Sequence, residues 1–127
     1  MAGSFANFSM NLLLRIEGTF YAIAALLLYW QQGFSWWLFA GLILVPDLSM
    51  LGYLAGPRVG AICYNTVHST VLPWAMLFYY YLRPSDWILA LTMIWFAHIG
   101  IDRALGYGLK YTTGFKDTHL GGIGQQK

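Results

Sequence analysis

The stretch SDWILALTMIWFAHIGIDRALGY, Ser85 to Tyr107, decides how the chain is read. A helix that crosses the hydrocarbon core of a bilayer needs about 20 mostly apolar residues, and this run has that length and character. It also carries His98 and Asp102 inside its apolar text. Four residues apart on a helix, these side chains face the same way. An ionisable group inside a membrane is costly, so it usually faces the protein interior and marks a functional site.

Working outward, three more apolar runs have spanning length: Met10 to Gln31, Ser35 to Leu54 and Val59 to Leu82. Gln31-Gln32-Gly33, Gly56-Pro57-Arg58 and Arg83-Pro84-Ser85-Asp86 punctuate them. Pro46 and Pro73 fall inside spans and are expected to kink them. The segment 108–127 is a polar, Gly-rich tail outside the membrane, and nothing reads as a strand. The expected fold is all-α: one polytopic domain, a four-transmembrane-helix bundle with a short cytoplasmic tail. Composition agrees. Of 127 residues, 9% are charged and 58% hydrophobic, against roughly 25% and 45–50% in soluble domains. With 18% aromatic residues as well, a soluble helical protein of this size could not hide so much apolar surface. One domain is what the length allows.

A net charge of +2 is too weak for nucleic-acid binding. Cys63 is the only cysteine, which excludes an intrachain disulfide. The first run contains Arg15 and Glu17 and is too long for a signal core, so it reads as a retained span. Basic residues then orient the chain. Arg15, Arg58, Arg103, Lys110, Lys116 and Lys127 belong to one face and Arg83 alone to the other. This places both termini in the cytoplasm. Trp30, Trp36, Trp37 and Trp87, with Tyr79, Tyr80 and Tyr81, would form an aromatic belt at the outer interface.

Depth gathers the polar residues. At 1.5 Å per residue, Glu17 lies roughly 10 Å from the cytoplasmic end of its span, Asp47 roughly 11 Å, His68 roughly 14 Å and His98 roughly 13 Å. Asp102 lies nearer that end. Acids and imidazoles from four spans therefore share the cytoplasmic half. His98 and Asp102 suit a metal ion, or an acid orienting an imidazole, or a local hydrogen bond that satisfies a buried histidine. Asp47, just after Pro46, needs a cation, a proton or a strong donor, with Arg15 or Arg103 as simple salt-bridge partners. Tyr64 and Asn65 share a stripe with His68 and suit interhelical hydrogen bonding in a supporting role. Glu17 can be a ligand, a base or a partner of Arg103. Beyond the fourth span, Lys110, Tyr111, Lys116, Asp117 and His119 form either a lid over the site or a flank for anionic headgroups.

Pro46-Asp47-Leu48-Ser49-Met50-Leu51-Gly52-Tyr53, Tyr64-Asn65-Thr66-Val67-His68 and Ala97-His98-Ile99-Gly100-Ile101-Asp102-Arg103 resemble a bacterial family of small integral membrane proteins of unknown function, which implies a bacterial inner (cytoplasmic) membrane. The likeness extends to Gly106-Tyr107-Gly108-Leu109-Lys110-Tyr111 and Thr118-His119-Leu120-Gly121. More distantly, the order Asp47, His68-Ser69, His98 and Asp102 is similar to that of membrane-bound metal-dependent hydrolases of the YdjM type. That resemblance implies Asp47, His68, His98 and Asp102 as ligands of one metal ion. Ser49 stands where that group has a second aspartate.

Three functions follow as expectations. One is a metal-dependent hydrolase-like enzyme. It would use zinc or manganese with Glu17 as general base, on a lipid or other small membrane-associated substrate. A second is an accessory subunit of a larger membrane complex, or a homo-oligomer, with His68 and His98 ligating haem or a chlorophyll-type pigment. A proton or ion pathway is third, opposed by the scarcity of polar residues in the outer halves of the spans.

Overall fold

The computed structural model describes residues 2–106, with side chains from residue 9 onward, and these residues are helical with short connections. In chain order they form α1 (Ala2–Gln31), α2 (Trp36–Leu42), a 3₁₀ helix (Val45–Ala55), α3 (Pro57–His68), α4 (Val71–Leu82) and α5 (Asp86–Ala104). Among the described residues, three segments are long and apolar enough to cross a membrane: Ser9–Gln31, Trp36–Ala55 and Asp86–Ala104. Their outer faces are the surface expected of a membrane protein. Phe20, Leu27, Trp30, Trp37, Leu54 and Leu82 are all more than half exposed, an apolar cover that water would not tolerate at this density.

α5 is the central post. Ala97 and Thr92 on it are fully buried, and Met93, Ile94, Phe96, His98 and Ile99 nearly so. α1 lies against it through small residues. Gly18, Ala22 and Ala25 are spaced at one helix turn and buried on α1; Gly18 and Ala22 meet Gly100 on α5, and Ala25 joins the core that includes Ala97. A Cβ on Gly100 would stand 2.5 Å from the Ala22 nitrogen and 2.7 Å from the Gly18 carbonyl oxygen, so only glycine permits this approach. Small residues at crossings let helix backbones touch where no hydrophobic effect drives association. Toward the other end of α1, Tyr29 is fully buried. It is enclosed by Phe34, Trp36 and Phe39 at 5.0–5.4 Å between ring centroids, and its hydroxyl donates to the Ser35 carbonyl. The belt residues Trp30, Trp37, Trp87 and Tyr81 point outward.

The two prolines do more than kink. A proline ring collides with the carbonyl four residues earlier and offers no N–H to it. α2 accordingly ends at Leu42, four residues before Pro46, and the chain continues as a 3₁₀ helix. Eleven residues is long for that form, which is uncommon beyond 3–4 residues and often marks a functional or strained stretch. Pro73 acts in the same way. The expected third span, Val59 to Leu82, is two helices of 12 residues each, α3 and α4, interrupted at Ser69 and Thr70. Ser69 is four residues before Pro73. Gly56, at φ +117°, makes the turn from the 3₁₀ helix into α3. Gly60 then lets the Tyr53 ring lie flat on the α3 backbone.

Candidate metal centre

Interrupted helices release carbonyls, and in an apolar setting each needs a donor. In a regular helix the Ile43 carbonyl would accept from the Asp47 N–H. Here that N–H turns to Leu44 instead, at 3.0 Å, and Nδ1 of His98 donates to Ile43 at 2.5 Å. At the second break, the Trp95 indole N–H donates to the Val67 carbonyl at 2.8 Å. Arg103 Nη2 donates to the His68 carbonyl at 3.4 Å. Three α5 side chains thus answer carbonyls set free by two prolines.

This fixes the histidine tautomers. A carbonyl only accepts, so His98 carries its hydrogen on Nδ1. His68 does the same, donating from Nδ1 to the Tyr64 carbonyl at 3.1 Å. Tyr64 also stacks its ring on the His68 imidazole, with centroids 3.8 Å apart and planes within 8°. In their neutral forms both rings then present an Nε2 lone pair, and the two Nε2 atoms lie 3.0 Å apart. Asp47 Oδ1 is 3.1 Å from His68 Nε2 and 3.0 Å from His98 Nε2. Asp102 Oδ2 is 3.4 and 3.2 Å from the same two atoms.

Asp47, His68, His98 and Asp102 thus bring one donor atom each to a common point, all within 4.8 Å of one another. Four lone-pair-bearing atoms this close repel unless something positive sits among them. The spacings suit a metal ion. A tetrahedral ion bound at about 2.0 Å holds its ligands about 3.3 Å apart. An octahedral ion at about 2.1 Å holds neighbouring ligands about 3.0 Å apart. The five distances, 3.0–3.4 Å, bracket both. Two imidazoles with two carboxylates favour zinc, manganese or iron over magnesium or calcium, which prefer oxygen alone. The hydrogen bonds from each Nδ1 are the outer contacts that orient metal-binding histidines. A haem or chlorophyll-type pigment fits poorly, because a macrocycle on either Nε2 would collide with the other imidazole and the carboxylates.

The remaining candidates take other positions. Glu17 is exposed on α1 and outside the four-residue cluster, since it adjoins the buried Gly18 and turns off the α5 seam. Its charge acts on Arg103, as does that of Asp102. Arg15 donates from Nε to the Ala104 carbonyl at 3.0 Å, closing the end of α5. Neither arginine replaces the histidines as partner of Asp47. Asn65 is half-buried on α3, and its carbonyl accepts from Ser69 at the helix end. Ser49 turns its hydroxyl to the Pro46 carbonyl at 2.8 Å. His119 and the lid formed by Lys110, Tyr111, Lys116 and Asp117 lie outside the described residues. Sequence reasoning missed Ile43, because a main-chain acceptor leaves no trace in residue type. It also missed Trp95, an indole within an apolar run.

No curated protein and no solved structure matches the chain, so the comparisons do not extend the likeness to the YdjM-type hydrolases. Residues 11–123, which include all four candidate ligands and the seam that supports them, match the family described as "Domain of unknown function (DUF4260)", and the chain belongs to that family.

Proposed function

We propose that this is a four-pass integral membrane protein that holds one divalent ion, zinc or manganese, at Asp47, His68, His98 and Asp102. In this reading it acts as a metal-dependent hydrolase-like enzyme on a small membrane-associated substrate. The observation that carries it is the convergence of two Nε2 lone pairs and two carboxylate oxygens, with both Nδ1 hydrogens committed to carbonyls. The interrupted pair α3 and α4 supplies the remaining pass. Broken helices at membrane depth are where many membrane proteins place a binding site. An even number of passes puts both ends of the chain on one side, and the basic residues make that side the cytoplasm.

Exposure favours catalysis over a purely structural role. The imidazoles are sealed, at 4% side-chain exposure each, while Asp47 is 31% and Asp102 19% exposed. The site is closed on its histidine side and approachable on its carboxylate side. A bound divalent ion supplies Lewis-acid polarisation of a phosphoryl or acyl oxygen. The chain's own residues hold the geometry. Tyr64 and Ile43 keep the two imidazoles from rotating, and the carboxylate of Asp47, the more exposed of the two acids, would accept the proton of an attacking water. Glu17 is given no proton-transfer role, because it stands off the cluster.

The test is metal content of the full chain purified in mild detergent, alongside His98→Ala and Asp102→Asn. About one ion per chain in the parent, with loss in both variants, is the expected result. A parent chain without stoichiometric metal after growth with zinc and manganese would overturn the proposal.

A further inference from the structure

A second feature adjoins the cluster. A groove of about 250 Å³ is lined by Leu42, Val45 and Pro46 on one side and Met76, Ile94 and Trp95 on the other. It is apolar throughout, and its wall is rigid because Trp95 is pinned by its indole hydrogen bond to Val67. The groove neighbours the cluster through two of its lining residues. Pro46 precedes Asp47, and Ile94 lies one helix turn before His98. On the far side of the cluster stand two cations. Arg103 follows Asp102 directly, and Arg15 is bonded to the carbonyl of the next residue, Ala104.

Read along α5, the order is apolar groove at Ile94 and Trp95, metal ligands at His98 and Asp102, then guanidinium groups at Arg103 and Ala104. At 1.5 Å per residue, Ile94 to His98 spans about 6 Å and His98 to Arg103 about 8 Å along the helix. A lipid in the leaflet nearer Arg103 has the same order along the membrane normal: hydrocarbon chain, then the ester-linked and phosphate groups, then water. Charge agrees with an anionic headgroup. A divalent ion is balanced by Asp47 and Asp102, and Arg15 and Arg103 outweigh Glu17 by one. Resting on the metal-centre reading above, we infer that the substrate class of this site is an anionic phospholipid. Its hydrocarbon chain occupies the groove, and its phosphate region lies between the ion and Arg103.

The test uses the full chain, loaded with zinc, in phosphatidylcholine vesicles doped with a phosphatidic acid that carries a diazirine on its acyl chain. Diazirine-tagged diacylglycerol, which lacks the phosphate, serves as control. After illumination, mass spectrometry maps the labelled residues. Label from phosphatidic acid is expected to concentrate on 42–46 and 91–95, about tenfold above the lipid-facing side of α1 at Phe20 and Leu27 and about tenfold above diacylglycerol at the same groove, the discrimination that one charge-assisted contact provides. Leu91→Trp, at a half-exposed groove position on α5, and Met76→Trp, on the separate helix α4, should each cut groove labelling about tenfold by filling the space, with metal content unchanged. Arg103→Gln should erase most of the preference for phosphatidic acid. Soluble glycerol 3-phosphate should not compete, because it has no chain for the groove.

Uniform labelling along all exposed spans, equal labelling by the two lipids, or parent-level labelling in both tryptophan variants would overturn the inference. Metal content on the same samples separates it from the proposal it rests on. One ion per chain with uniform labelling leaves the metal centre standing and removes the lipid site. Selective groove labelling in a chain that holds no ion supports the lipid site and removes the metal centre.

Discussion

α1 and α5 cross as uninterrupted helices along a seam of glycine and alanine, whereas the chain between them, from Trp36 to Leu82, is broken twice by proline. The regular pair satisfies its backbone internally and contributes closeness. The broken segments leave carbonyls exposed and contribute acceptors. The Asp/His cluster forms where one meets the other: α5 sends His98, Trp95 and Arg103 to the Ile43, Val67 and His68 carbonyls. A membrane protein can thus use helix defects to orient imidazoles, because in hydrocarbon a released carbonyl must find a donor.

The comparison breaks most severely at the seam. Gly100→Leu forces a side chain into the α1 backbone at Ala22 and Gly18, a clash that cannot be relieved by a rotamer change. Destabilisation of at least about 3 kcal/mol is expected, at or beyond the usual cost of overpacking. Loss of the folded, detergent-extracted monomer on size-exclusion chromatography is the measurement. At the ligands, His98→Ala should leave the fold in place but weaken zinc affinity by more than the 10–100-fold typical of outer contacts, read by competition with a chelator. Pro46→Ala sharpens the distinction between the two regions. With its N–H restored, the helix can run on through Leu42 and recapture the Ile43 carbonyl from His98, so zinc affinity should fall about tenfold although no ligand is altered. Tyr64→Leu removes the ring stacked on His68 and should cost a few-fold in affinity at unchanged helicity, within the range for contacts that orient a ligand. The smallest effect is expected for Trp95→Phe, which leaves the Val67 carbonyl without its donor. The expected loss is about 1 kcal/mol of stability, the scale of one interhelical hydrogen bond in a membrane, measured by thermal denaturation.

Much of this was readable beforehand, and the limits have physical causes. His98 and Asp102 announce themselves by helical spacing within an apolar run, and Asp47 and His68 by the cost of placing such groups there. Their common depth followed from the rise of a helix alone. What the proline positions did not reveal is how each break resolves. Pro46 and Pro73 mark where an N–H is missing, but the length of the 3₁₀ helix and the split of Val59–Leu82 depend on donors from α5, nearly 30 or more residues away in sequence. Glu17 illustrates the converse. Its depth matched the other acids, yet Gly18 beside it takes the face against α5, so depth without azimuth placed it too generously among the site residues.

The central claim is that His68 and His98 offer Nε2, and Asp47 and Asp102 a carboxylate oxygen, to one ion. X-ray absorption at the zinc edge of the reloaded, purified chain tests this most directly. The prediction is a shell of nitrogen and oxygen at about 2.0–2.2 Å with the outer-shell signature of two imidazoles, lost in a His68→Ala, His98→Ala double variant. No stoichiometric ion in the parent, or the same spectrum from the double variant, would contradict it.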